Sequence, residues 1–219
     1  MIVLHKVRVS FGGTVALRDL DLRLEPGIVG LFGQNGSGKS TLLRVLAGLL
    51  RPSAGHVTLD GVAWHRSRAE ELRREVGYVG HSSGLYGRLT VRENLELGAR
   101  LYDLAPERVD EVIGALALGT DADRRGGELS AGVARRAAVA RAVLHEPRFL
   151  FLDEPYANLD DDAAEHLSDA LRQWWRAGRV GIVATHGAKR VKAYAHAGVI
   201  LKQGVIVSHR LRSEMASAS

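Results

Sequence analysis

The chain has 219 residues, 46% of them hydrophobic and 25% charged, with a net charge of +5. That length suits one large domain, or one with a small subdomain, with ample core. It contains no cysteine, which excludes a disulfide framework, a thiol nucleophile and a cysteine-ligated metal. No apolar run approaches the roughly 18 residues of a membrane span, and the N-terminus does not read as a signal peptide, so a cytosolic or peripheral protein is predicted. The basic balance, with a pI near 9.8, suits phosphates, nucleic acid or an anionic membrane face and does not choose among them.

Taken in order, residues 2–9 and 20–24 read as strands, separated by the turn signal Phe11-Gly12-Gly13. The apolar run Ile28-Val29-Gly30-Leu31-Phe32 leads into Gly33-Gln34-Asn35-Gly36-Ser37-Gly38-Lys39-Ser40, and Thr41 opens a stretch at helical spacing ended by Gly48. A strand at 56–60, a short charged helix at 67–75 and a buried strand at 76–80 follow. From 91 to 118 the pattern is helical, broken at Leu104-Ala105-Pro106, and 124–127 is a loop. A helix from about Ser130 to Leu144 feeds an apolar strand at 148–152. Then come a helix (161–176), a strand (180–184), a helix (188–195) and two short strands (198–202, 205–208). Strands and helices alternate around a central helical insertion, which predicts one α/β domain with a mainly parallel sheet and no internal repeat.

The stretch 33–40 fits the phosphate-binding loop G-x-x-x-x-G-K-[ST], in the strand-loop-helix setting that motif requires. Glycines let successive backbone N–H groups turn onto phosphates, and the next helix aims its positive end at them. Lys39 is placed to reach the β- and γ-phosphates and the Ser40 hydroxyl to ligate Mg²⁺. A second pair of groups, Asp153 and Glu154, ends the strand at 148–152. Asp153 can hold Mg²⁺ opposite Ser40, and Glu154 can polarise an attacking water. Phosphoryl transfer needs a charge clamp, a metal and an oriented nucleophile, and each has a candidate. Three more features narrow the reading. Ser130, in Leu129-Ser130-Ala131-Gly132-Val133, opens a helix as an anion site or as a plain cap. Asp160, in Ala157-Asn158-Leu159-Asp160, either joins the site or caps the next helix. His186 ends a strand, either structurally or within reach of a γ-phosphate.

In order and spacing these motifs resemble the ATP-binding subunits of ABC transporters over nearly the whole chain. The resemblance implies a RecA-like P-loop core with an added antiparallel sheet, the core covering about 1–85 and 127–219, and a helical subdomain at about 86–126. It implies binding of ATP and Mg²⁺ by residues 33–41, with Glu154 as catalytic base and His186 as γ-phosphate sensor. It also implies a homodimer in which each ATP lies between one phosphate loop and Ser130 and Gly132 of the other copy, with Asp160 nearby. Integral membrane subunits would dock by the 81–100 segment, at the cytoplasmic face of a bacterial-type inner membrane, and no nucleic-acid partner is implied.

The departures carry expectations of their own. Phe11 stands where the family stacks a tyrosine on adenine, and as a lone aromatic in a strand it reads equally well as core. In the family's Leu-Ser-Gly-Gly-Gln signature, which falls here at 129–133, Ala131 replaces a glycine and Val133 a glutamine. Alanine is benign if position 131 is helical and costs about 1 kcal/mol if it needs positive φ. Val133 cannot donate a hydrogen bond across the dimer, so weaker ATP-driven dimerisation is predicted. His81, in Gly80-His81-Ser82-Ser83-Gly84, replaces the loop glutamine that contacts Mg²⁺ or the water. This Gly-His pair is similar to the haem-exporter ATP-binding subunits of cytochrome c maturation. A soluble cassette ATPase acting on nucleic acid or ribosomes is the rival reading, disfavoured because no heptad run lies between Lys39 and Ser130. A P-loop kinase gives no reason for Ser130, Asp160 and His186 together.

Overall fold

The computed structural model describes residues 1–64, 69–176 and 178–211. Strands β1 (Ile2–Phe11) and β2 (Thr14–Leu24) form a hairpin whose two turn residues, Gly12 and Gly13, have φ of 48° and 89°. Phe11 pairs directly with Thr14 across that turn, the geometry that joins two right-twisted strands without splaying them. β2 begins six residues before the strand expected at 20–24. A register shift between the Val7–Leu20 and Val9–Leu17 pairs, with Asp19 at φ 46°, interrupts its alternation and hides its first half from a period-2 reading. Arg8 and Asp19 pair across the bulge. β4 (Ala54–Leu59) and the short β5 (Val62–Ala63), which the sequence reading did not anticipate, complete a four-stranded antiparallel sheet of order β2-β1-β4-β5.

The second sheet contains β3 (Gly27–Phe32), β6 (Val76–Val79), β7 (Phe149–Asp153), β8 (Val180–Thr185), β9 (Ala197–Lys202) and β10 (Val205–Leu211), in the order β10-β9-β3-β8-β7-β6. All its pairings are parallel except that of β9 with β10. β3, β7 and β8 are buried along their whole length, as strands covered on both faces must be. Alternate residues serve two cores. Val29, Leu31, Phe149, Phe151 and Ile182 face α1 (Lys39–Leu46) and the antiparallel sheet. Ile28, Leu150, Leu152 and Val183 face a helical layer.

That layer contains α3 (Val91–Leu101), α4 (Glu107–Ala115), α5 (Ala131–Val143) and α6 (Asp161–Trp174), while α2 (Ala69–Arg74) and α7 (Ala188–Lys192) are short. The break expected at 104–106 separates α3 from α4, but α4 stops at Ala115, and a 3₁₀ turn (Gly119–Asp121) follows. A second 3₁₀ turn (Gly126–Glu128) lies in the expected loop at 124–127. The first residues of the helix expected at 67–75 lie outside the described residues. Thr90 and Glu93 close a capping box on α3. Buried Asn94 accepts from Tyr86 N and donates to the carbonyls of Tyr86, Leu89 and Thr90, which fixes the approach to that helix. No helix among the described residues is long and apolar enough to cross a membrane.

His145, just after α5, stacks flat on Tyr102 with ring centres 4.0 Å apart. Its Nε2 lies 3.3 Å from the Val76 carbonyl, and its Nδ1 is buried without a partner among the described residues. Burial lowers its pKa to about 4, against a small opposing effect of the Val76 carbonyl. The folded state therefore keeps this imidazole neutral where the unfolded chain protonates it. Its share of stability is complete above about pH 6.5 and is lost as pH falls toward 4. Between pH 8 and 5 that loss is expected to be about 2 kcal/mol. Urea unfolding of wild type and His145→Gln at both pH values checks it; an equal pH-dependent loss in both proteins contradicts the assignment.

Candidate active site

Parallel registry gathers the site. Phe32 pairs with Thr185, and Asp153 pairs with Ala184, so the C-terminal ends of β3, β7 and β8 lie side by side. Ligands of open parallel sheets bind at that edge. The glycines of the loop after β3 are required by space as well as by conformation. At Gly33 (φ 155°) a Cβ would lie 2.3 Å from the Leu201 carbonyl oxygen, and at Gly38 (φ 107°) it would lie 2.9 Å from that of Ala16. Lys39 is 6% exposed, and its ammonium donates to the carbonyls of Gly33 (2.7 Å) and Gln34 (3.2 Å), which curl it back over the loop. α1 has Gly38 as N-cap, with neither a capping side chain nor an acid in its first turn, so its positive end faces the cleft unneutralised. Ser37 Oγ is buried there without a partner among the described residues.

Opposite stands the acidic wall. Asp153 is 4% exposed at the end of β7. Glu154 adopts φ 49°, a left-handed conformation uncommon for a residue with a side chain, and its N–H donates to Ala184 O at 2.8 Å. Its carboxylate accepts from Thr185 Oγ1 (2.9 Å), from His186 N (2.9 Å) and from His186 Nδ1 (3.0 Å). An ionised carboxylate only accepts, so the His186 proton sits on Nδ1 and Nε2 faces away from Glu154.

Behind this wall lies a residue that the sequence reading missed. Arg135 on α5 is 8% exposed, and its guanidinium donates to Gly80 O (2.6 Å), His81 O (2.9 Å) and Asp153 O (3.5 Å). Burial lowers its pKa, while Asp153 and Glu154 pull it up. On the same helix Arg136 donates to Leu116 O and Ala117 O, and Arg141 to Gly84 O. The signal was three arginines in an otherwise small-residue helix, a pattern that fits long donors reaching for neighbouring carbonyls.

A cleft of about 690 Å³ joins these parts. Its walls bring together Asn35, Gly36, Ser37, Gly38, Lys39, Ser40, Thr41, His81, Asp153, Glu154 and His186. Ala16, Ser83, Ala131, Ala134, Arg135, Ala157 and Asn158, unpredicted as site residues, complete them. Gly33 and Gln34 contribute through their carbonyls to Lys39. Four predicted residues stand apart from these walls. Phe11 is 50% exposed at the hairpin turn. Ser130 caps α5, accepting from Val133 N at 3.3 Å. Gly132 abuts the loop before α6, where a Cβ would lie 2.7 Å from Asn158 O. Asp160 caps α6, accepting from Ala163 N at 2.8 Å. Ala131 begins α5 without positive φ, so its Cβ costs nothing there, and Val133 packs against the core.

The donor set fits magnesium bound together with phosphates. Among the described residues no cluster of three His, Cys, Asp or Glu could hold a metal by itself. Ser40 and Asp153 nevertheless offer hard oxygens in one cleft, as Mg²⁺ prefers when phosphates and water fill its remaining positions. The imidazole of His81 suits Mg²⁺ less well than either oxygen. When bound there, the ion neutralises charge developing on a transferred phosphoryl group.

A phosphate loop at the end of one buried strand and an acid pair at the end of another, facing each other over one cleft, define a P-loop nucleotide hydrolase. A model of the ABC transporter family matches residues 17–157. The chain is 32% identical over 197 residues to the ABC transporter ATP-binding protein NatA of Bacillus subtilis, covering 88% of this chain and 80% of that one. It is 36% identical over 212 residues to a probable sulfate/thiosulfate import ATP-binding protein CysA of Chlorella vulgaris (94% and 89% covered). Against the Nod factor export ATP-binding protein I of a Rhizobium species it is 34% identical over 203 residues (90% and 66% covered). It superimposes with a TM-score of 0.88 and 26% identity on the dimeric, post-hydrolysis ATP-binding cassette MJ0796 bound to ADP and Pi, over 97% and 99% of the two chains. The chain belongs to the ABC transporter family as an ATP-binding subunit, and it is an ATPase.

Arg135→Lys keeps the charge but cannot make three divergent hydrogen bonds from one planar fork. It is expected to lower stability by about 1–3 kcal/mol. It should also increase amide exchange selectively at residues 80–84, which hydrogen-exchange mass spectrometry would detect; unchanged protection there contradicts the assignment.

Proposed function

We propose that two copies of this chain clamp two Mg-ATP molecules between them and hydrolyse them to drive membrane transport. The observation that carries this reading is the Glu154 carboxylate, held by three hydrogen bonds and facing Lys39 and Ser40 across one cleft. Residues 33–41 hold the phosphates, with Lys39 on the β- and γ-phosphates, and Ser40 and Asp153 hold Mg²⁺. Glu154 takes the proton of an attacking water, and His186, bound to it through Nδ1, senses the γ-phosphate with Nε2. Phe11 stacks on the base with the π-face it keeps, and His81 adjoins the metal and water.

Support for the second copy comes from what the single chain leaves out of its own cleft. Ser130 and Gly132 lie at the N-terminus of α5, and Asp160 lies at that of α6; none of the three lines the cleft, although Ala131 between the first two does. They contact nucleotide once a partner turns those helix starts toward it, and the likeness to a dimeric cassette bound to ADP and Pi supports that arrangement. Core segments 1–85 and 127–219 then form the nucleotide body and 86–126 the helical subdomain, and integral membrane subunits dock by the 81–100 segment at the cytoplasmic face. Haem export or release for cytochrome c maturation is the cargo reading that Gly80-His81-Ser82-Ser83-Gly84 supports. Relatives with named cargoes are for sulfate or thiosulfate, molybdenum, Nod factor and Fe(3+) ions, so these five residues alone carry it.

Glu154→Gln is expected to lower kcat at least about 10²-fold while ATP binding persists, and purification of the tagged variant from membranes with ATP should recover integral membrane proteins. Recovery of ribosomes instead overturns the transport reading. In that background, Ala131→Gly with Val133→Gln should tighten the ATP-bound dimer about thirtyfold in sedimentation, since one hydrogen bond is recovered at each of the two sites and each is worth about 1 kcal/mol. An unchanged dissociation constant excludes a role for Val133 in weakening the dimer.

A further inference from the structure

We propose that Tyr156 and Tyr194 are positioning residues for the Glu154–His186 pair, acting through one buried chain of hydroxyls. The inference rests on the reading of Glu154 as general base. Tyr156 lies two residues past Glu154, within a turn closed by Ala157 N donating to Glu154 O at 3.1 Å. Tyr194 follows α7, the helix that starts two residues past His186, and its N–H donates to Val191 O at 3.2 Å. The two phenols meet with oxygens 2.5 Å apart, and Tyr156 Oη lies 3.1 Å from Ser168 Oγ on α6.

Counting protons fixes the direction of the chain. Ser168 is fully buried, and its one hydroxyl proton goes to Ala164 O at 2.8 Å, so it accepts from Tyr156. Tyr156 has then used its own proton and accepts from Tyr194. Three donors and three acceptors run in one line from the end of α7 into the body of α6, and burial raises the pKa of both phenols, keeping the protons in place. The guanidinium groups of Arg190 and Arg172 lie 6.0 Å and 5.7 Å from the Tyr156 and Tyr194 ring centres, and both pair with Glu165, also on α6. Nothing in this cluster lines the cleft, so its effect reaches the chemistry through the two loops it ties down. With the chain intact, the turn after Glu154 and the helix after His186 are fixed to the same stretch of α6, and the 3.0 Å contact between those residues is held from both sides.

Tyr156→Phe, Tyr194→Phe and the double variant retain the rings and remove the line of hydrogen bonds. In the full-length protein, kcat for ATP hydrolysis is expected to fall about tenfold in Tyr156→Phe. KM for ATP should stay within about twofold, because the phosphate loop hangs from a different strand. Tyr194→Phe spares the Tyr156–Ser168 bond and should lose less, and the double variant should lose no more than Tyr156→Phe, since both break one chain. Thermal midpoints measured alongside separate packing from positioning. If Glu154→Gln abolishes hydrolysis while both single Phe variants keep wild-type kcat, the chain is structural and the inference is overturned, with the base assignment intact. If Glu154→Gln keeps its kcat, the base assignment itself fails and takes the inference with it.

Discussion

Every functional group of the cleft depends on the parallel registry of three buried strands. β3, β8 and β7 pair without a register shift from Gly27–Val180 and Phe149–Val180 up to Phe32–Thr185 and Asp153–Ala184. Each strand carries apolar side chains on both faces, so two separate cores, one on each side of the sheet, constrain the same alignment. A slip of one residue would exchange those faces and carry the phosphate loop and the acid pair out of line with each other. The sheet edge is therefore a ruler, and the chemistry is attached to its end.

On that edge opposite charges face each other. Lys39 and the uncapped start of α1 form a positive floor, and Asp153 and Glu154 form a negative wall. A positive floor of this kind suits phosphates, and a negative wall of this kind suits a divalent cation. Arg135 steadies the wall from behind: its charge is spent on three backbone carbonyls, among them those of Asp153 and His81, so it joins the acidic strand end to the His81 loop. A buried cation so placed offsets part of the repulsion between neighbouring acids while leaving their oxygens facing the cleft.

The departures from the family signature follow the same division between floor, wall and partner. Ala131 is accommodated because its backbone is helical, and Val133 is partly buried and packs against the core. Neither residue belongs to the phosphate loop, although Ala131 does line the cleft. Their effect falls on whatever lies across from the start of α5, the surface that Ser130 and Gly132 present outside the cleft of their own chain.

How much was legible from residues alone depended on whether a feature was local. The phosphate loop, the Asp153–Glu154 strand end and the break between α3 and α4 each follow from neighbours in sequence, since glycine conformation, strand hydrophobicity and proline act over a few residues. The first half of β2 was hidden because the bulge at Asp19 breaks the alternation, and a bulge is defined only against the strand it pairs with. Arg135 was hidden because its partners lie 54 and 55 positions away along the chain, and the Tyr156–Tyr194 contact because its ends lie 38 apart. Ser130 and Asp160 were singled out in the sequence with two readings each, and the structure shows both as helix caps, a choice that could not be read from the chain. The sequence by itself determined which candidates to consider for phosphate, metal and water, because the chemistry on offer belongs to the side chains and their immediate turns. Which of them share a cleft, and which long-range hydrogen bonds hold them there, was decided only when strand registry brought distant segments within 3 Å.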